Sequence, residues 1–178
     1  MGVTFHDRAS LGLGAPVTAH LSRRTANDAG PGYAGLTYHH VGDGGTLYRP
    51  NQVARLQAIW AYHVHTLGYG DIAYNGAFDA DGQTYELRSH DWVSAHAAST
   101  DNVANRTTDG IVFLEDSRGL THDALAAFSW WVDLYRWTQH RTPMLWAHRY
   151  WGAGHGGQPT ACPGDDLDKV IGFVGGHS

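Results

Sequence analysis

A single cysteine, Cys162, stands among the 178 residues. No disulfide can therefore close within the chain, and a lone thiol fits a reducing compartment. Charge is also sparse: 16% of residues are charged, and the net charge is −5. A general nucleic-acid binder would be basic, so no nucleic-acid partner is expected. No apolar run approaches the roughly 20 residues needed to span a bilayer, so no membrane span is expected. The opening MGVTFHDRASLGLGAPVTAH lacks the basic start and long apolar region of a secretion signal. The twin Arg in SRRTAND is followed by no hydrophobic segment. Gly2 lacks the Ser or Thr at position six that myristoylation requires. Synthesis in the cytoplasm without a recognisable signal peptide is the expectation.

What is present is aromatic and imidazole. Seven Trp, nine Tyr and five Phe supply large apolar groups for one compact domain. Histidine occurs 13 times, and the question is which few converge.

Residues 1–34 carry Gly, Pro and Ala without clear periodicity and read as an N-terminal arm or loop. GLTYHHVG at 35–42 reads as a strand, and DGGTLYRP at 43–50 as a turn-rich connection. From Asn51, apolar residues recur at spacings of three and four through Leu67. The pattern predicts an amphipathic helix capped by Asn51 and stopped by Gly68. Residues 71–89 predict a β-hairpin turning at Asp81-Gly82. VSAHAAST at 93–100 reads as a short strand or extended loop. DGIVFLED at 109–116 is a continuous apolar run suited to a central strand. Thr121 opens a second helix with Leu125, Phe128, Val132 and Tyr135 as its apolar stripe, ending by Pro143. PMLWAH at 143–148 is a further strand, and a C-terminal helix starts near Asp165. Helices alternating with strands imply a single α/β domain, residues 35–175, with a central mixed sheet flanked by helices.

Three places offer metal chemistry. His39 and His40 are adjacent on a strand, so they point to opposite faces, and periodicity does not choose between them. His148 ends a strand. Cys162 lies in a loop between two prolines. Two imidazoles and one thiolate from separate elements suit zinc, with a fourth position open for catalysis.

The stretches TYHHVG, GYGDIAYNGAFDADGQTYELRS, SAHAA, DGIVFLED, WAHR and PTACPGDDL, in this order over residues 35–172, resemble the type 2 N-acetylmuramoyl-L-alanine amidase and peptidoglycan recognition protein family. The resemblance extends to phage lysozyme-type amidases. It implies Zn²⁺ held by His39, His148 and Cys162. It implies Tyr74 as the catalytic tyrosine and Thr160 at a position where relatives carry Lys or Thr beside the reacting water. His96 corresponds to a histidine lining the substrate cleft. Asn75 follows the tyrosine as in relatives, where it serves the cleft or the fold. YWGAGHGGQ reads as an insertion between the second and third ligands. His155 or Asp166 therefore compete for the third place, and the retained TACPG favours Cys162. The insertion is expected at the rim of the site, with Trp151 and His155 touching substrate.

The implied reaction is hydrolysis of the amide between the lactyl group of N-acetylmuramic acid and L-alanine of the stem peptide. The implied partner is bacterial cell-wall peptidoglycan, met by a monomer such as a phage endolysin or its catalytic domain. The competing expectation is a non-catalytic peptidoglycan-binding receptor of the same fold. A structural zinc module is disfavoured, because no fourth protein ligand is evident and Tyr74 is retained.

Overall fold

The computed structural model describes residues 2–25, 28, 35–41, 51–115 and 117–175. The turn-rich stretch 43–50 lies outside these. The strands are β1 (Thr4–His6), β2 (Gly35–His40), β3 (Gly76–Asp79), β4 (Gln83–Glu86), β5 (Thr108–Leu114) and β6 (Met144–Ala147). The helices are α1 (Gln52–Ala61), α2 (Val103–Thr107), α3 (His122–Gln139), α4 (His148–Gly154) and α5 (Asp166–Gly175). The strands form one sheet in the order β1-β4-β3-β5-β2-β6. Among the named strands of the described residues, β3 and β4 pair antiparallel and the other pairs are parallel. The expected α/β domain with a mixed central sheet and flanking helices is what forms.

Local chemistry explains the helix starts. The side chain of Asn51 accepts the amide of Ala54, and that of Thr121 accepts the amide of Ala124, each satisfying one orphan donor of a first turn. α1 runs on into a π-helical turn, Tyr62–Thr66, before Gly68 adopts φ +72°. In the hairpin, Gly82 takes φ +77°, which a residue with a Cβ adopts only at a cost.

Two expectations need correction. Residues 1–34 are not only an arm or loop. Thr4–His6 extends the sheet in parallel with β4, and Leu11 is buried. Such pairing draws its stability from a partner distant in sequence, so no local pattern announces it. Residues 93–100 take the extended-loop form of the two expected for them and end in a short 3₁₀ turn at Thr100–Asn102. The stretch after His148 is helical rather than loop, because burying Trp151 against Ala97 and Ala104 overrides the poor helix propensity of its glycines.

Alternation along the strands divides the core. Leu36, Tyr38, Phe78, Ile111 and Phe113 face α3 and α5, where Phe128, Trp131, Leu167 and Val170 meet them. Ala77, Val112 and Leu114 face the other way, toward Leu56 of α1 with Leu11, Ile72 and Leu87. His39 and Thr37 belong to this second face by the same alternation.

Candidate metal centre

β2 decides between the paired histidines. His39 is 1% exposed. His40 lies on the opposite face, partly exposed, with Nδ1 3.4 Å from a carboxylate oxygen of Glu115. The parallel register sets Tyr38 opposite Ala147. The next residues, His39 and His148, therefore come side by side, with ring centroids 4.4 Å apart. His148 is the first residue of α4 rather than the last of β6.

Cys162 reaches the pair from its loop. The amide of Arg149 donates to the Cys162 carbonyl at 2.8 Å, and the Arg149 guanidinium donates to the Gly164 carbonyl. The amide of Cys162 donates to Thr160 Oγ1 at 3.1 Å. Its Sγ accepts from the His40 amide at 3.4 Å. The Cys162–Pro163 peptide is cis. One ligand atom each from His39, His148 and Cys162 lies within 4.8 Å of the other two. Zinc bonds of ~2.0–2.3 Å draw such a set together, and three protein ligands leave one position open. The alternative third ligands are occupied elsewhere. His155 packs on Tyr150 with centroids 4.6 Å apart, and Asp166 accepts from Lys169 at 3.2 Å.

The electrostatics suit a cation. Burial holds His39 well below the usual imidazole range, with His96, His148 and His40 adding to the effect. Burial also lowers His148, helped by His40. Both rings are neutral, as ligands must be. Burial pushes the Cys162 thiol up to about 11, opposed by the His40 amide. An incoming metal would displace that proton.

Tyr74 sits edge-on to His39, with centroids 5.3 Å apart. Burial, then Cys162 and Tyr69, raises its phenol above the ordinary value, so it remains a donor at neutral pH. Thr160 Oγ1 is accepting from Cys162, and its own hydrogen remains to be given.

The three residues expected on a substrate cleft are buried. Asn75 is 6% exposed; its Oδ1 accepts from the Gly110 amide at 3.0 Å and its Nδ2 donates to the Arg88 carbonyl at 3.3 Å. It staples the Tyr74 loop to β5. Trp151 is 4% exposed and donates its indole N–H to Thr37 Oγ1 at 3.0 Å. His96 is 5% exposed, and both its ring nitrogens face protein partners. All three support the site from within. Sequence reading missed Thr37, Thr108, Gly110 and Arg88. Gly110 alone carried a signal, as a glycine inside an apolar strand marks a close approach: a Cβ there would lie 2.5 Å from the His96 ring. Arg88 anchors the same loop by donating to the carbonyls of Asp71, Ile72 and Val93.

A hollow of about 570 Å³ is bounded by Trp146, Arg149, Tyr150 and Thr160, the sequence neighbours of His148 and Cys162, with none of the three candidate ligands in its lining. A second cavity, about 340 Å³, is lined by Leu36, Ile111 and Trp131 of the α3 face. His90 lines it, but none of His39, His148 and Cys162 does.

A sheet of this topology is the fold of solved peptidoglycan-recognition proteins. No family model matches the chain. It is 27% identical to peptidoglycan-recognition protein SC2 of Drosophila simulans, over 96% of this chain and 91% of that protein. It is 42% identical to the human N-acetylmuramoyl-L-alanine amidase over 43 residues, 24% of this chain and 8% of that protein. Wild-type Drosophila PGRP-LB superposes with a TM-score of 0.75 at 22% identity, over 96% of this chain and 93% of that one, and shares the fold. The chain is thus similar in sequence to peptidoglycan-recognition proteins and, over a short stretch, to an N-acetylmuramoyl-L-alanine amidase, and it shares the peptidoglycan-recognition protein fold.

Proposed function

We propose that the chain is a zinc-dependent N-acetylmuramoyl-L-alanine amidase, hydrolysing the amide between the lactyl group of N-acetylmuramic acid and L-alanine. The observation that carries this reading is the convergence of His39, His148 and Cys162 within 4.8 Å beside Tyr74 and Thr160. A zinc ion in such a donor set supplies Lewis-acid polarisation of the amide carbonyl and a water acidic enough to attack near neutral pH. The chain's own residues do the rest. Tyr74 keeps its phenolic hydrogen and donates it toward the oxygen on which negative charge develops. Thr160, fixed by the Cys162 amide, directs its remaining hydroxyl hydrogen into the same space. Thr160 carries no charge, so its contribution is orientation. The neutral rings of His39, fully buried, and His148, partly buried, hold lone pairs ready without a proton to shed.

The setting proposed with this activity is wall lysis by a monomeric phage endolysin or its catalytic domain; its support is the sequence resemblance. A second reading, a peptidoglycan-binding receptor without catalysis, is favoured by the relative matched over nearly its whole length, which is a recognition protein by name. Metal analysis separates the two. The amidase reading expects one equivalent of zinc in the folded protein, lost in Cys162→Ala together with wall cleavage. Wall binding that persists without zinc and without cleavage in the unaltered chain selects the receptor.

A further inference from the structure

A chain of buried hydrogen bonds runs beneath His39 through residues outside the metal cluster. It begins at Trp151, whose indole N–H is donor only and reaches Thr37 Oγ1 at 3.0 Å. Thr37 is 2.8 Å from Thr108 Oγ1. Thr108 gives its own hydroxyl hydrogen to the Ala104 carbonyl at 2.8 Å, so Thr37 donates to Thr108. The oxygen of that hydroxyl and the Thr108 carbonyl then face His96 Nε2, at 3.2 and 3.4 Å. A carbonyl cannot donate, so the hydrogen of this contact belongs to His96 Nε2. In a neutral imidazole the other nitrogen is then an acceptor. His96 Nδ1 lies 2.9 Å from His39 Nε2, so His39 donates from Nε2 and carries its lone pair on Nδ1.

We propose that Trp151, Thr37, Thr108 and His96 form a positioning relay that fixes the tautomer and ring orientation of His39, leaving Nδ1 as the nitrogen offered to the metal. The inference rests on the metal reading given above. The direction of every bond is set by a donor-only indole at one end and carbonyl acceptors along the way. The geometry leaves no slack. Gly110 is the one residue type that admits the His96 ring, since a Cβ would approach it to 2.5 Å. Helix α4 delivers both a ligand and the first donor of the relay, as His148 and Trp151 are one turn apart on it. The stretch that reads as an insertion in the sequence is thus tied to the first ligand through the interior. Partners that orient a ligating histidine are worth about 10–100-fold in metal affinity.

Two measurements test the relay. Nitrogen NMR of metal-free protein labelled at histidine reports the tautomer directly: His39 Nδ1 unprotonated and Nε2 protonated. The reverse assignment overturns the proposal. Zinc affinity, read by competition with a chromophoric chelator, should weaken by about 10–100-fold in Thr108→Val and in His96→Leu. His96→Asn, whose side-chain oxygen can accept from His39 Nε2 in place of Nδ1, should recover most of it. Folded Thr108→Val and His96→Leu proteins with wild-type zinc affinity would overturn the relay while leaving the metal reading intact. A wild-type protein with the expected tautomer and no zinc affinity would instead remove the metal reading.

Discussion

On the face of the sheet covered by α3 and α5, Tyr38, Phe78, Phe113 and Phe128 meet with ring centroids between 5.1 and 5.9 Å. On the other face, beside the ligands, the interior is polar: Thr37, His39, His96 and Thr108 are all at most 5% exposed. The first face is held by non-directional burial, which many side chains of similar volume satisfy. The second is held by hydrogen bonds, each of which has one geometry and one donor direction. Removing a partner there leaves a buried polar group unpaired. The apolar face therefore carries stability, and the polar face carries the arrangement on which chemistry depends.

Substitutions on the two faces should separate these roles. The largest effect is expected from Phe128→Ala, which opens the apolar core and should cost about 3–5 kcal/mol in denaturant unfolding. The folded fraction should still bind zinc. A loss under ~1 kcal/mol would place the stabilising core elsewhere. Next, Tyr74→Phe removes one hydroxyl beside the ligands. Turnover on purified peptidoglycan should fall by about 10²–10³ while zinc content and melting temperature stay put. Near-normal turnover would return Tyr74 to packing.

A third test concerns Asp109, at the edge of the apolar face. Burial would raise its carboxyl, but Arg24 at 2.6 Å and His90 at 2.7 Å prevail and hold it near 2. The folded value lies below the unfolded one of about 3.9. The stabilisation, about 2–3 kcal/mol, is therefore complete above about pH 5 and is lost as pH falls toward 2. Asp109→Asn should lower stability by that amount at neutral pH and converge with the wild type in acid. Parallel curves across this range would contradict the pairing. The smallest effect is expected from Tyr38→Phe. Its hydroxyl is buried without a hydrogen-bond partner among the described residues, so its loss should stabilise by up to ~1 kcal/mol and leave turnover unchanged. Tyr74→Phe and Tyr38→Phe are the same chemical change on opposite faces. Matching outcomes would erase the distinction drawn between them.

Much of this was legible from residues close together in sequence. Asn51 and Thr121 cap their helices because a side-chain oxygen and an amide three positions on suffice. The hairpin follows from Asp81-Gly82. The His39, His148 and Cys162 grouping was legible through motif order, although only the β2–β6 register shows why His39 rather than His40 meets His148. The illegible parts are non-local. β1 exists because β4 offers it an edge. α4 exists because Trp151 has an interior place to fill. His96, Asn75 and Trp151 looked like cleft residues because polar and aromatic groups near a site resemble substrate contacts in sequence. Burial and partner directions assign them to the support beneath it, and neither can be read from neighbours along the chain.

The most direct test of the central claim is mass spectrometry of purified peptidoglycan digested by the zinc-loaded protein, beside a chelated control. The account predicts free stem peptides beginning at L-alanine, glycan strands left intact, no release in the chelated sample, and recovery when zinc is returned. Release that survives chelation, or cleavage of the glycan instead of the lactyl amide, would contradict it.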